Sequence, residues 1–377
     1  MLLEESACQL SLSLELSRKV TDQNEKSDRR FMPLGVIFGL LGLGLFSYFV
    51  SKVGVSDVLD GIRRLGFGFV LVLAISSIRH IVRSIAWTRC VELPYTLRFR
   101  DAFAARLMGD ALGNIIPLAS VAVSEPSKAV FVRHRLPLMI GLSALAIENI
   151  FYSLSVAFVM FCGTATLLLT FTLPRGLRYA TIAALIGALA FIPLALLLVR
   201  GGARVLTGLV SFLARCRLPR RVTDKLKPAA ATLEDRIYGF YQRNQKSFYS
   251  IFALELIFHL AGVLEIYTTL SFISPVEPTV TQALILESVN RIINVVFKFI
   301  PLRAGVDEGG TGQVSKVLGL TKTTGVTLAI IRKGRDLFWS VIGLLLLLQR
   351  GFSLRTLQAE QSASERSLNA TPVITGK

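Results

Sequence analysis

Apolar residues in this chain gather into long runs separated by shorter polar connections. Runs at about 33–50, 67–87, 138–160, 178–199, 248–272 and 323–348 are each long enough to cross a hydrocarbon core of about 30 Å at a helical rise of about 1.5 Å per residue. They predict six transmembrane helices. Two further apolar segments, 101–132 and 280–318, are interrupted near their middles by Pro117 and Pro301 and carry charged residues at what would be membrane depth. Proline breaks a helix, and non-helical backbone at that depth is tolerated only against protein or a wet cavity. Each segment therefore predicts a re-entrant hairpin of two half-helices. The expected fold class is all-α, a polytopic membrane helix bundle over 33–348, flanked by a cytoplasmic leader (1–32) and tail (349–377), both polar enough to be disordered.

Charge orients the bundle. The formal net charge of +17 would point to nucleic acid in a soluble chain, but 52% of the residues are hydrophobic, mean hydropathy is +0.58, and the basic residues flank apolar runs. That is the positive-inside pattern, with anionic lipid headgroups rather than nucleic acid as the partners. The stretch 200–247 holds eleven Lys and Arg against Asp224, Glu234 and Asp235, so it is expected in the cytoplasm of an inner-membrane, multi-pass protein. Both termini follow it there, and the loops around 52–66 and 161–177 fall outside, although Lys52, Arg63 and Arg64 fit that side poorly. Within 200–247, Val205, Leu206, Leu209, Val210 and Leu213 fit either a surface-lying amphipathic helix or a solvated helical loop. The acid-rich start of the leader, Glu4 and Glu5, is unlike a signal peptide, and Met32 is an alternative start.

Catalytic chemistry is hard to find. Cys8, Cys90, Cys162 and Cys216, and His80, His134 and His259, are too scattered for a metal site or a nucleophile–base pair. No cofactor and no metal are expected, and the chain is not expected to be an enzyme.

An internal repeat is visible instead. Ile116-Pro117-Leu118 recurs as Ile300-Pro301-Leu302, and the same offset of 184 residues pairs Leu136 with Leu320, Gly141 with Gly325 and Ile147 with Ile331. Each unit would run span, hairpin, span. Three spans separate the two hairpins, so the second copy is expected upside down, the plan of transporters whose substrate sites lie at broken helices near the midplane.

Ionisable residues within apolar spans cost about 2.5–3.5 kcal/mol each and need a partner or a wet cavity. Several stand at i,i+4 on one helix face: Arg79 with Arg83, Arg106 with Asp110, Glu255 with His259, Glu287 with Arg291, and Arg332 with Asp336. Four of these pairs are self-neutralising, as structural salt bridges or as parts of a cavity. Arg79 and Arg83 repel, so they require Glu125, Glu148 or a lipid phosphate, or else they snorkel to the cytoplasmic face. Glu148 lacks a positive neighbour on its own helix; the repeat offset sets Arg332 opposite it, and a protonated carboxyl is the alternative. His259 is either a proton relay or a plain hydrogen-bonding residue. Trp87 and Trp339 read as interfacial anchors.

The hairpin segments carry a resemblance. Gly109-Asp110-Ala111-Leu112-Gly113-Asn114-Ile115-Ile116-Pro117, followed by Glu125-Pro126-Ser127-Lys128, resembles the first motif of the lysylphosphatidylglycerol synthase transmembrane family, and Pro301-Leu302-Arg303-Ala304-Gly305-Val306-Asp307-Glu308 its second. Ser124 stands where the family usually has Gly, and Leu302-Arg303-Ala304 replaces its glycines. The resemblance spans about 33–348. It implies lipid handling, with Asn114, Pro117, Glu125, Lys128, Pro301, Gly305 and Glu308 as carried-over site residues. Nothing here resembles the family's soluble aminoacyl-transfer domain, so the chain is not expected to make lysyl-phosphatidylglycerol by itself.

The leading expectation is a lipid flippase whose substrate is an anionic phospholipid or another lipid, bound by Arg79, Arg83, Arg106, Asp110, Glu148, Arg291, Arg303 and Arg332 together with the motif residues. An accessory subunit serving a lipid-biosynthesis partner protein, in a hopanoid or glycolipid pathway, is the alternative. A membrane-embedded enzyme using Glu125 or Glu308 as general base ranks third, for want of nucleophile or metal spacing.

Overall fold

The structure, a computed structural model, describes residues 55–115, 120–200, 204–215, 220–298, 300 and 303–349. Among these it is wholly helical. In chain order the helices are α1 (Val55–Leu65), α2 (Gly68–Arg89), α3 (Phe99–Ile115), α4 (Ser120–Phe131), α5 (Leu138–Thr170), α6 (Arg175–Arg200), α7 (Val205–Arg215), α8 (Arg220–Arg243), α9 (Gln245–Ile273), α10 (Val280–Val296), α11 (Val306–Val317) and α12 (Lys322–Gln349).

Four of these helices are long and apolar enough to cross a membrane, over Gly68–Arg89, Leu138–Thr170, Arg175–Ala195 and Ser247–Ile273. They coincide with four of the six expected spans. The run 33–50 lies outside the described residues. α12 has the length but also carries Lys322, Arg332, Lys333, Arg335 and Asp336, charges that must be matched inside the bundle.

Both interrupted segments are broken pairs of helices. α3 and α4 flank one break and pack on each other, and α10 and α11 do the same around the other. Pro117 and Pro301, the expected tips, lie outside the described residues. The second break ends in left-handed backbone, Arg303 at φ 51° and Gly305 at φ 80°. Gly305 takes that conformation without a Cβ clash, and Arg303 holds it as an uncommon non-glycine case.

Two expectations are corrected, and the basic stretch gains detail. The external loop placed at 161–177 is mostly helix, because α5 continues to Thr170. Its Thr164 and Thr166 hydroxyls are satisfied by the carbonyls of Met160 (2.6 Å) and Cys162 (2.7 Å), and Leu167 is buried. The polar stretch 200–247, expected to hold helical pieces, contains a pair of packed helices, α7 and α8. Glu234 of α8 ties them by accepting from the backbone N–H of Leu206 (2.5 Å) and the hydroxyl of Thr207 (2.6 Å), supplying acceptors for the bare N–H groups of the α7 start. Trp87, finally, is no interfacial anchor: it is completely buried among Met108, Phe131 and Phe151. Trp339 also points inward, donating to Ser76 Oγ (2.8 Å).

Two apolar clusters brace the bundle, one around Trp87, Leu136 and Ile251, the other around Val72, Ile266 and Leu286. The charged residues fall between them. Along α2, Arg79 and Arg83 lie between Val72 and Ala86; along α9, Glu255 and His259 lie between Ile251 and Val263. The halves are interlocked: α2 packs along α9, α3 against α12, and α10 against α5. Both of the last two crossings are closed by glycine. A Cβ on Gly343 would strike the carbonyl oxygen of Leu107, and one on Gly163 would strike the Ser288 hydroxyl.

A close crossing against fixed backbone leaves little room to relax. Gly343→Ala is expected to destabilise the protein by about 1–3 kcal/mol, read as a lowered Tm in detergent. Gly187→Ala, where no atom lies within 4 Å of the added carbon, is expected to leave Tm unchanged. Equal Tm values for the two variants would refute the tight crossing.

Candidate functional site

A cavity of about 760 Å³ opens among α2, α3, α5, α6, α10 and α12. Its lining includes Arg79, Arg83, Arg106, Arg291, Lys298, Arg303, Arg332 and Arg335, eight cations, against the three carboxylates of Asp110, Asp307 and Asp336. That excess is tolerable in a membrane only if other carboxylates stand close behind, and they do.

Glu148 on α5 is fully buried and outside the lining. It accepts from Arg83 Nε (2.7 Å) and Arg106 Nη2 (3.0 Å), tying α2, α3 and α5 together. Arg83 also lies over the Tyr152 ring, 4.0 Å from its centroid, a favourable cation–π arrangement. Glu265 on α9 plays the same part on the other side, accepting from Arg79 Nη1 (3.2 Å) and from Arg335. Arg335 also donates to Asp336 (2.7 Å), whose other oxygen lies 3.6 Å from Arg303. Glu287 holds Arg291 one turn along α10. Asp307 of α11 accepts from Arg332 of α12 (3.0 Å), which also donates to Thr311 Oγ1 (2.7 Å).

Of the i,i+4 pairs read from the sequence, only Glu287 with Arg291 forms as an ion pair. Arg106 leaves Asp110 for Glu148, and Arg332 leaves Asp336 for Asp307. His259 meets Ser155 (3.1 Å) and faces Glu287 (3.8 Å) rather than Glu255. The Glu148–Arg332 pair suggested by the repeat offset is not formed, since each has a nearer partner. For Arg106 and Arg332 the physical reason is shared: arginine reaches a neighbouring helix, and the dry carboxylate there gains more from the pair than the wetter one on the same helix.

The expected site residues divide into two groups. Arg79, Arg83, Arg106, Asp110, Arg291, Arg303 and Arg332 line the cavity. Glu125, Lys128, Asn114, Gly305 and Glu308 are outside its lining and organise the broken helices. Lys128, 1% exposed, bridges Asp110 and Glu125 (both 2.8 Å), linking α3 to α4. Asn114 donates to Ser340 Oγ of α12 (2.8 Å). Glu308 accepts the Gly305 N–H (2.7 Å), closing the start of α11, and pairs with Lys333. The two motif glutamates make matching contacts: Glu125 accepts from Asn149 (2.9 Å) on α5 and Glu308 from Lys333 on α12, positions 149 and 333 standing at the same offset of 184.

Sequence reasoning missed Glu265, Asp307, Arg335 and Lys298. Glu265 had a signal, an acid in the apolar run 248–272, which holds no Lys or Arg; the others required the packing.

What the arrangement can do follows from its spare donors. Among the described residues no acceptor meets Arg79 Nε, Arg303 Nε, or Nε and Nη1 of either Arg106 or Arg332. Buried guanidinium N–H groups left without acceptors are costly, and a phosphate or carboxylate is the ligand that arginine's planar fork fits best.

A family model described as the lysylphosphatidylglycerol synthase TM region matches residues 34–343. The chain belongs to this family. No curated protein and no solved structure matches it.

Arg106 and Glu148 form a testable pair. Arg106→Gln removes one of the two donors to a fully buried carboxylate, and losing a buried partner costs about 3–5 kcal/mol, seen as a lower Tm and yield. Adding Glu148→Gln is expected to recover much of that loss, whereas adding Asp110→Asn is not. Rescue by Asp110→Asn alone would contradict the observed pairing.

Proposed function

We propose that this member of the lysylphosphatidylglycerol synthase transmembrane family moves an anionic lipid between the leaflets of the inner membrane. The observation that carries the reading is the arginine cavity, with guanidinium donors that find no acceptor among the described residues. A headgroup crossing hydrocarbon must exchange its water for other donors. Here the arginines face the cavity and Glu148, Glu265 and Glu287 stand outside its lining, so the surface offered to a ligand is positive while the protein as a whole is close to neutral at that depth.

An inverted repeat is part of the same proposal. The exchange of packing, α3 on α12 and α10 on α5, and the matching reach of Glu125 and Glu308 are what two related halves facing one central site would produce. The proposed role is transport of a lipid made elsewhere, without catalysis. The carboxyls earlier considered as general bases are engaged otherwise, Glu308 in the cap of α11 with Lys333 and Glu125 with Lys128 and Asn149.

Reconstitution into liposomes with fluorescently labelled anionic lipid tests the proposal. Wild-type protein is expected to speed leaflet exchange above that of empty vesicles. Arg303→Gln is the informative variant, because Asp336 keeps Arg335 when Arg303 is lost. It should fold normally yet slow transfer on the order of tenfold, as expected for one charge-assisted hydrogen bond. Normal folding with no transfer by the wild type would instead favour an accessory role in a lipid-modifying complex.

A further inference from the structure

None of the cavity's charged lining comes from α5 or α6. Those two helices supply Val156, Ala157 and Met160, from α5, and Ala184, Ala188 and Phe191, from α6. Their spacing places each set on a single helix face. Gly187 lies on the α6 face too, with no atom within 4 Å of where a Cβ would stand. The cavity thus joins a cationic wall to an apolar one, the two characters of an amphiphile.

The apolar part has an open side. Among the described residues α6 packs chiefly on α5, and no comparable packing joins it to α10, although α10 supplies Val295 and Val296 to the same cavity. These two valines are 59% and 52% exposed, and Phe191 is 42% exposed. All three line the cavity, and the exposed Lys298, just beyond the valines, lines it with them. The depth of the α6 wall is informative: Ala184 to Phe191 fall within the span Arg175–Ala195, of which only 11% is buried in the protein. The length and apolarity of that span set it at the depth of the hydrocarbon, so an opening beside it leads toward the bilayer.

We propose that the gap between α6 and α10 is a lateral portal and that the apolar wall is an acyl-chain subsite. The ligand class is an anionic lipid with long chains, which enters sideways. Its headgroup goes to the arginine wall while its chains lie along α5 and α6 and trail into the bilayer. This rests on the lipid-transport reading of the cavity and adds to it the route and the part of the lipid that α6 recognises.

The test uses purified full-length protein and two probes, dioleoyl phosphatidylglycerol and glycerol phosphate, the second being the charged head without chains. Gly187→Trp fills the apolar part at a position with room for the side chain; Ile186→Trp, on an exposed neighbour outside the cavity lining, is the control. Gly187→Trp is expected to weaken binding of the lipid on the order of tenfold or more, from lost chain burial, while glycerol phosphate binds as in the wild type and Ile186→Trp binds both normally. Normal lipid binding by Gly187→Trp, with an unchanged Tm, overturns the portal and leaves the headgroup site standing. Equal loss of both probes, or equal weakening by Ile186→Trp, also overturns it. Wild-type protein that binds neither probe removes the transport reading itself, and the portal with it.

Discussion

A charge inside a bilayer must be matched within a few ångströms, because desolvation there costs more than surface ion pairs return. Most of this architecture follows from that requirement. Glu148 joins α2, α3 and α5 through two arginines; Glu265 joins α9 to α2 and α12; Asp307 joins α11 to α12. Of the helices contributing these groups, α2, α5 and α9 are still apolar enough to span, whereas α12, with its five charged residues, is not among the apolar spans; α2, α5 and α9 are all more buried than α6. α6, which brings no charge to the network from its middle, takes the periphery and faces lipid. Position in the bundle is thus decided by which helices carry charges to be matched.

The same requirement gives the cavity its character. Arginine is long enough to be neutralised at one edge of its guanidinium and still present another edge to a ligand. Arg106 and Arg332 are each bound through Nη2, and their Nε and Nη1, unmet among the described residues, are themselves buried, so an anion reaches them only when the guanidinium turns toward the cavity. A lysine would offer a single point charge and no such second edge. The interior cluster therefore stabilises the fold and keeps donors in reserve for an anion with the same residues, which is why substitutions here are expected to mix effects on stability and on binding unless a partner carboxylate is changed with them.

Much of the fold was legible in the sequence because hydrophobic length and proline interruption act locally. The spans at 67–87, 178–199 and 248–272 and the two broken segments needed nothing else. The extension of α5 to Thr170 was missed because its threonines look like loop residues until their hydroxyls turn back onto the helix. At the site the residue types and half of the identities were legible, since any ionisable group in an apolar run must be inside. Their pairing was not. The i,i+4 rule sees one helix, whereas Arg106, Arg332 and Arg83 choose partners across helices. Trp87 shows the same limit: its place near a run's end suits an interface, and only the packing of α2 against α3 and α5 buries it.

The central claim is that the arginine cavity holds the headgroup of an anionic lipid. An experimental density map of the protein in nanodiscs containing phosphatidylglycerol tests this most directly. The account predicts a phosphate within hydrogen-bonding distance, about 2.7–3.2 Å, of the spare nitrogens of Arg106 or Arg332, with the chains leaving between α6 and α10. A cavity filled only by ordered water bridging those arginines, with every lipid confined to the outer surface of the helices, would contradict it.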